Sequence, residues 1–159
     1  ASELDAINAR ITALDGEIKA IATQDRDMRR LMEIPGVGPT IASALVAAVG
    51  DGRSFAKSRD LAAWLGPVPR QITTGGKAKL IGISKHGNRY LRKLLIHGAR
   101  TVLHLVKDRS SPLARWVDGL AQRMHANVAA VAMANKLARI AWAVLTTGQR
   151  YSPARLHRA

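Results

Sequence analysis

The chain has no cysteine, and after Glu33 it has almost no acid. The first absence excludes disulfides and thiolate zinc sites and fits a reducing compartment. The second is more telling. Of 11 Asp and Glu in 159 residues, only Asp51, Asp60, Asp108 and Asp118 lie beyond residue 33. No two of them stand at a metal-binding interval, so a two-metal nuclease centre is not expected within this chain. Aromatics number six, too few to anchor a basic amphipathic helix in a membrane surface. No apolar run reaches the roughly 18 residues of a membrane span, and no signal peptide is visible. The start at Ala1 rather than Met fits a fragment of a longer protein. There is no Walker-type loop, since Gly75-Gly76-Lys77 resembles only its end. His97 and His104, seven apart on one expected helix, read as two half-buried histidines rather than a ligand pair.

What is present is positive charge. The net charge is +14, and self-repulsion of that size points to a partner that neutralises it. Residues 1–33 are nearly balanced, with seven acids and five bases. From Leu61 to Lys107 there is no acid at all, but nine cations: Arg70, Lys77, Lys79, Lys85, Arg89, Arg92, Lys93, Arg100 and Lys107. A one-sign block of this length reads as a surface for a polyanion, with nucleic acid the first candidate.

Periodicity predicts an all-α or nearly all-α fold. Leu4, Ile7, Ile11, Leu14, Ile18 and Ile21 form a heptad seam in one helix over 2–32, capped by Ser2 and continued by Met28 after Asp25 interrupts it. Two readings fit that seam: a coiled-coil arm pairing protomers, or a helix packed on its own domain. Residues 1–33 are thus set apart from a helical domain over 34–148 and a basic, frayed tail over 149–159. In IPGVGPTIASALVAAVG, residues 34–50, Gly36 and Gly38 flank Val37 ahead of Pro39, the helix-hairpin-helix pattern. Its glycines admit either a phosphate or a neighbouring helix. Ser58 is expected to cap a helix to Leu65 with Leu61, Trp64 and Leu65 buried. Asn88 caps one to about Asp108, its apolar face including Tyr90. Ser111-Pro112 opens the next, through Met124, and Asn127 caps the last, ending at Gly148. Residues 70–84 lack helical periodicity and read as an irregular basic loop, or a loose hairpin, with Thr73-Thr74-Gly75-Gly76 at its tip.

That loop gathers Thr73, Thr74 and Ser84 among Arg70, Lys77, Lys79, Lys85 and Arg89. A hydroxyl can attack a phosphodiester if its proton is removed and cations hold the developing charge. The same cluster can bind phosphates with no reaction, as a nucleic-acid-binding module or an RNA-chaperone protein would do. Gly36, Gly38, Arg70, Thr73, Gly75, Lys77, Lys79, Lys85, Arg89, Arg92 and Lys93 are the expected nucleic-acid contacts.

The segments IPGVGPTIASAL, FAKSRDLAAWLGPVPRQITTGGK, GISKHGNRYLRKLLIHGAR and MANKLARIAWAVL occur in an order that resembles the C-terminal domain of IS110/IS1111 (IS116/IS110/IS902) family transposases. The resemblance covers nearly the whole chain, to about Pro153. It implies a bacterial, cytoplasmic, nucleoid-associated DNA recombinase with an N-terminal RuvC-like domain, not within this chain, that holds the divalent metal. No cofactor is implied for this chain itself. It also implies a structured bridge RNA as guide and a coiled coil that joins protomers. In the family a serine just before a glycine in the 70–84 loop is the nucleophile. Here that position is Thr74, preceded by Thr73, and the extra methyl crowds attack. Ser84 is the nearest serine. Three readings follow: Thr74 replaces the serine, Ser84 takes over, or the chain binds without cutting.

Overall fold

The computed structural model describes residues 2–84, 86–105 and 110–155, with backbone alone at 72, 74, 79–81 and 155. The elements are α1 (Glu3–Gln24), α2 (Arg26–Leu31), α3 (Pro39–Val49), α4 (Ser58–Leu65), β1 (Pro69–Thr74), β2 (Lys77–Ile83), α5 (Arg89–Leu105), α6 (Pro112–Arg123) and α7 (Ala126–Thr147), followed by one 3-10 turn at Pro153–Arg155. The mostly helical architecture is the one that periodicity predicts.

The helix expected over 2–32 is two helices. Ser2 and Asp5 form a reciprocal cap at the start of α1, and the Ser2 N–H, 2.9 Å from the Asp5 carboxylate, holds that carboxyl below its ordinary range. At Asp25 the backbone leaves the helix (φ −76°, ψ 130°), and its carboxylate accepts from the Met28 N–H at 2.8 Å. Aspartate competes well for backbone donors at a helix start and poorly inside one. Along α1 most of the seam is bare: Leu4, Ile7, Ile11, Leu14 and Ile21 are all about half exposed or more, Ile18 is partly buried, and Ala22 is the one buried residue.

The core is built around α7, which packs against α2, α4, α5 and α6. Five of its alanines (Ala129, Ala130, Ala134, Ala138 and Ala141) are buried, and Met133 and Leu137 are fully so. Small side chains let neighbouring helix axes come close. α7 is by length and composition apolar enough to cross a membrane (mean hydropathy 1.5), though Lys136 and Arg139 interrupt its apolar run, and 56% of that stretch is buried inside the fold, as suits a core helix. Two of its polar side chains fix loops. The Trp142 indole N–H lies 3.1 Å from the carbonyls of both Gly52 and Phe55, and the Asn135 amide donates to Pro67 O at 3.1 Å.

Several boundaries differ from the sequence reading. Lys57, not Ser58, is the cap residue of α4, and the Asp60 carboxylate accepts from the Lys57 N–H at 2.9 Å. His125, not Asn127, caps α7, its Nδ1 accepting from the Asn127 N–H. The expected end of α5 at Asp108 falls outside the described residues. Trp64 and Tyr90, assigned to buried faces, are exposed, and so are His97 and His104. As far as residue 155 the tail is not frayed. Arg150 makes two 2.8 Å contacts with the Glu33 carboxylate, which lowers the Glu33 pKa, and Tyr151 packs on the core.

Residues 69–83 decide between the two readings of this segment: they form an antiparallel hairpin, more regular than expected, and not an irregular loop. Gly75 and Gly76 both take positive φ (59° and 76°), as a two-residue type I′ turn requires. Thr73 and Thr74 are strand residues paired with Ala78 and Lys77, not tip residues. Near the root the register jumps from Pro69↔Ile83 to Arg70↔Ile81, leaving Gly82 as a bulge. Helical periodicity is silent here because strand side chains alternate with a period of two rather than 3.6.

Candidate nucleic-acid interface

The ribbon's register organises the expected site. Thr74 stands opposite Lys77, Ile72 opposite Lys79 and Arg70 opposite Ile81. Strand alternation then puts positions 70, 74, 77 and 79 on one face, together with the apolar positions 72 and 81. One hydroxyl-bearing and three cationic positions thus share a surface, with Thr73 and Gln71 on the other. Arg70 and Lys77 are exposed, as are Gly75 and Gly76 at the tip. Lys85 lies outside the described residues.

Ser84 is not part of this group. It sits at the ribbon's root, where its N–H donates to Val68 O at 2.9 Å and its hydroxyl to Gly66 O at 3.3 Å. Seven strand residues at ~3.3 Å each set it about 23 Å from the turn. The two candidate nucleophiles therefore occupy opposite ends of the hairpin, and the hydroxyl of Ser84 already has a backbone acceptor.

The start of α5 supplies a second group of cations. The Asn88 side chain accepts from the Leu91 N–H at 3.0 Å and opens the helix. Arg89 and Lys93 are exposed on its first turns. Arg92 is not, and here the structure corrects the sequence. It is 9% exposed, and its Nη1 donates to Leu65 O at 3.2 Å and His86 O at 2.9 Å. That guanidinium ties the end of α4 and the exit of the ribbon to α5, so it is an internal brace rather than a surface cation. Tyr90, 58% exposed between Arg89 and Lys93, is the residue the sequence reading missed. Its place at i+1 to a cation and i+2 to the cap asparagine gave no periodic reason to leave it outside the apolar face.

The two glycines of the 34–50 segment separate in role. A Cβ on Gly36 (φ 82°) would run into Gly98 O and the Val102 side chain of α5. Packing of the turn against α5 is therefore enough to require glycine there. Gly38 is extended, has open space at its Cβ position and precedes Pro39 as the cap residue of α3, with no side-chain capping bond. Among the described residues no three His, Asp or Glu converge on a common point.

A braced, cation-faced ribbon on an Ala-rich helical core thus describes the class of surface. The sequence profile of the Transposase IS116/IS110/IS902 family matches residues 28–114, and the chain belongs to that family. It is 49% identical over 151 residues, 95% of its length, to a probable family 20 transposase of Pseudomonas aeruginosa, covering 45% of that protein. It is 46% identical to the transposase for insertion sequence element IS1328 of Yersinia enterocolitica, over 90% of this chain and 43% of the relative. A third relative, the transposase for insertion sequence element IS1111A of Coxiella burnetii, is 47% identical over 85% of this chain and 37% of its own length. The chain spans less than half the length of these relatives.

Proposed function

We propose that this chain is the DNA-engaging C-terminal part of a DNA transposase, with the ribbon as its contact surface. The observation that carries the reading is the register of the hairpin, which collects Arg70, Thr74, Lys77 and Lys79 on one face. Cations so placed neutralise successive phosphates, and a hydroxyl among them is where phosphoryl transfer needs a nucleophile. Arg89 and Lys93 extend the positive surface to the start of α5, and Tyr90 offers a ring on which a base can stack. Thr74 fills the serine position of the family. Its hydroxyl loses its proton to solvent as it attacks a phosphodiester, the new bond to phosphorus replaces the bond to one deoxyribose oxygen, and that oxygen leaves as the free strand hydroxyl and takes up a proton, while the neighbouring cations hold the charge that develops. The exposed α1 seam pairs protomers as a coiled coil. The open N-terminus of α3 beside Gly38 adds a phosphate contact. A structured guide RNA is a second polyanion that this surface would suit. The divalent metal belongs to a part of the enzyme outside this chain.

The test is a trapping experiment with the complete transposase that carries this chain, its RNA and its DNA ends. The expected result is a covalent protein–DNA adduct that Thr74→Ala abolishes and Ser84→Ala does not. Loss of the adduct with Ser84→Ala alone would move the nucleophile to the root.

A second reading has its own support. Thr74 carries a methyl where the family has none, and the Ser84 hydroxyl is already bonded to Gly66 O. Under that reading the chain binds and pairs without cutting, and no adduct forms even though DNA binding is steeply salt-dependent.

A further inference from the structure

We propose that the outer face of α5 is a second backbone track for the DNA that the ribbon engages, made by Arg89, Lys93, His97, Arg100 and His104, and that its two histidines tighten binding as pH falls. This inference rests on the DNA-binding reading above. The five residues follow one another at intervals of four, four, three and four along α5. At 3.6 residues per turn they fall within about 80° of arc and run about 22 Å along the axis. All five are exposed. The buried residues of the same helix, Leu91, Leu95, Gly98, Ala99 and Val102, lie on the opposite side. The row is therefore one continuous face of a helix rather than a scatter of surface charge.

The ion pairs among the described residues join Arg30 to Asp27, Arg53 to Asp51 and Arg150 to Glu33, and none reaches the row. Arg100 Nη2 donates to Asn127 Oδ1 at 3.3 Å. That amide is neutral, so it aims the guanidinium without balancing its charge. The helices packed on α5 are α3, α4 and α7. α3 has no ionisable side chain. α7 has Lys136 and Arg139, with His125 as its cap residue. α4 has Arg59 and Asp60, and the Asp60 carboxylate accepts from the Lys57 N–H. In the turn ahead of α3, Glu33 is held by Arg150. Asp108, four residues beyond His104, lies outside the described residues, so the test is read first at His97 and Arg100. Cations four apart on a helix repel one another, and cations on its first turns oppose its dipole. A line of phosphates relieves both.

The partner is the DNA backbone. The chain belongs to a transposase family, whose substrate is DNA, and a duplex carries one negative charge per ~1.7 Å of axis. A row of this length meets several phosphates. Arg92, on the inward side of the same helix, bonds Leu65 O and His86 O at the two ends of the ribbon. Root and row are thereby held as one piece, and Arg89 at the head of the row continues the ribbon's positive surface. Contacts of this kind supply affinity and orientation rather than sequence preference. Imidazoles gain a proton between about pH 8 and pH 5, and each one that does so beside a phosphate adds a cation to the contact.

The experiment uses the complete transposase that carries this chain, freed of nucleic acid, as Arg100→Gln, His97→Gln and His97→Gln/His104→Gln, with Lys77→Ala as the ribbon control. Affinity for duplex DNA is followed by anisotropy across a salt series at about pH 8 and about pH 5.5, beside a structured RNA of equal charge, and each variant is melted. The expected result is a DNA salt slope lowered by roughly one in Arg100→Gln at both pH values. The parent slope should be steeper at the lower pH, and the histidine variants should narrow that difference by roughly one for each imidazole removed. Melting points should stay at that of the parent. Unchanged DNA slopes in every α5 variant, with the Lys77→Ala slope reduced, overturn the track and leave the DNA-binding reading standing. An unchanged slope in Lys77→Ala as well overturns that reading too. Slopes that change for RNA alone make the row an RNA surface, and the proposal fails. A lower melting point for Arg100→Gln with an unchanged slope makes that residue a strut to Asn127 and removes it from the track. A pH difference that survives the double histidine variant overturns the pH sensitivity.

Discussion

The carbonyl oxygen of Gly98 occupies the space where a side chain on Gly36 would begin. The turn between α2 and α3 is thereby pressed directly onto the backbone of α5. Gly36 also holds φ at 82°. A substitution there meets both a steric and a conformational penalty. Gly36→Ala should destabilise the fold by about 1–3 kcal/mol, measured by urea unfolding. An Ala variant of unchanged stability and weakened DNA affinity would instead make Gly36 a phosphate contact.

Arg92 should separate from its charged neighbours in the same assays. Arg92→Ala leaves Leu65 O and His86 O without their donor and should cost about 1–3 kcal/mol. Its effect on the salt slope of DNA binding should be small. Arg70→Ala and Lys77→Ala should behave the other way, with little loss of stability and a slope reduced by roughly one each.

The apolar seam of α1 gives a third prediction. Ile11→Asp and Leu14→Asp place charges at two exposed seam positions without touching the core. If the seam pairs protomers, the sedimenting mass should fall to that of a single chain while the melting of the helical core is retained. A parent chain that is monomeric at all concentrations would rule out the pairing.

The Glu33–Arg150 contact predicts a mild acid sensitivity. The Arg150 hydrogen bond lowers the Glu33 pKa in the folded chain below its ordinary 4.5. The folded state therefore binds that proton less readily than the unfolded state. The contribution is present above the ordinary glutamate value and is lost as pH falls through the lowered one. Both groups are solvent-accessible, so salt should weaken the effect. Arg150→Ala should flatten the stability–pH curve in that window.

Much of the helical frame is legible in the sequence, because buried faces impose a 3.6-residue period. Leu91, Leu95, Ala99 and Val102 on α5 follow that rule. The ribbon is not legible by the same means, since its two short strands carry no regular alternation of apolar and polar residues. Its trace in the sequence is local: two glycines flanked by β-branched Ile72, Thr73 and Thr74 on one side. The split fate of the cations is also out of reach of spacing. Arg89, Arg92 and Lys93 lie within one helical turn or so, and only the acceptors at Leu65 and His86, brought in from other elements, draw the middle one inward. Gly36 likewise looks the same in sequence whether its neighbour is a phosphate or Gly98.

The hairpin is clamped at its root. Val68 and Gly66 accept from Ser84, Asn135 holds Pro67, and Arg92 braces the turn that follows. Among the described residues no third strand pairs with it, and two strands alone are marginal in water. The amides of residues 71–80 should therefore exchange with solvent through local opening that leaves the core closed. DNA laid along the cationic face would slow that exchange. The geometry at Thr74 then depends on occupancy, and any reaction of its hydroxyl is conditional on the strand already being in place.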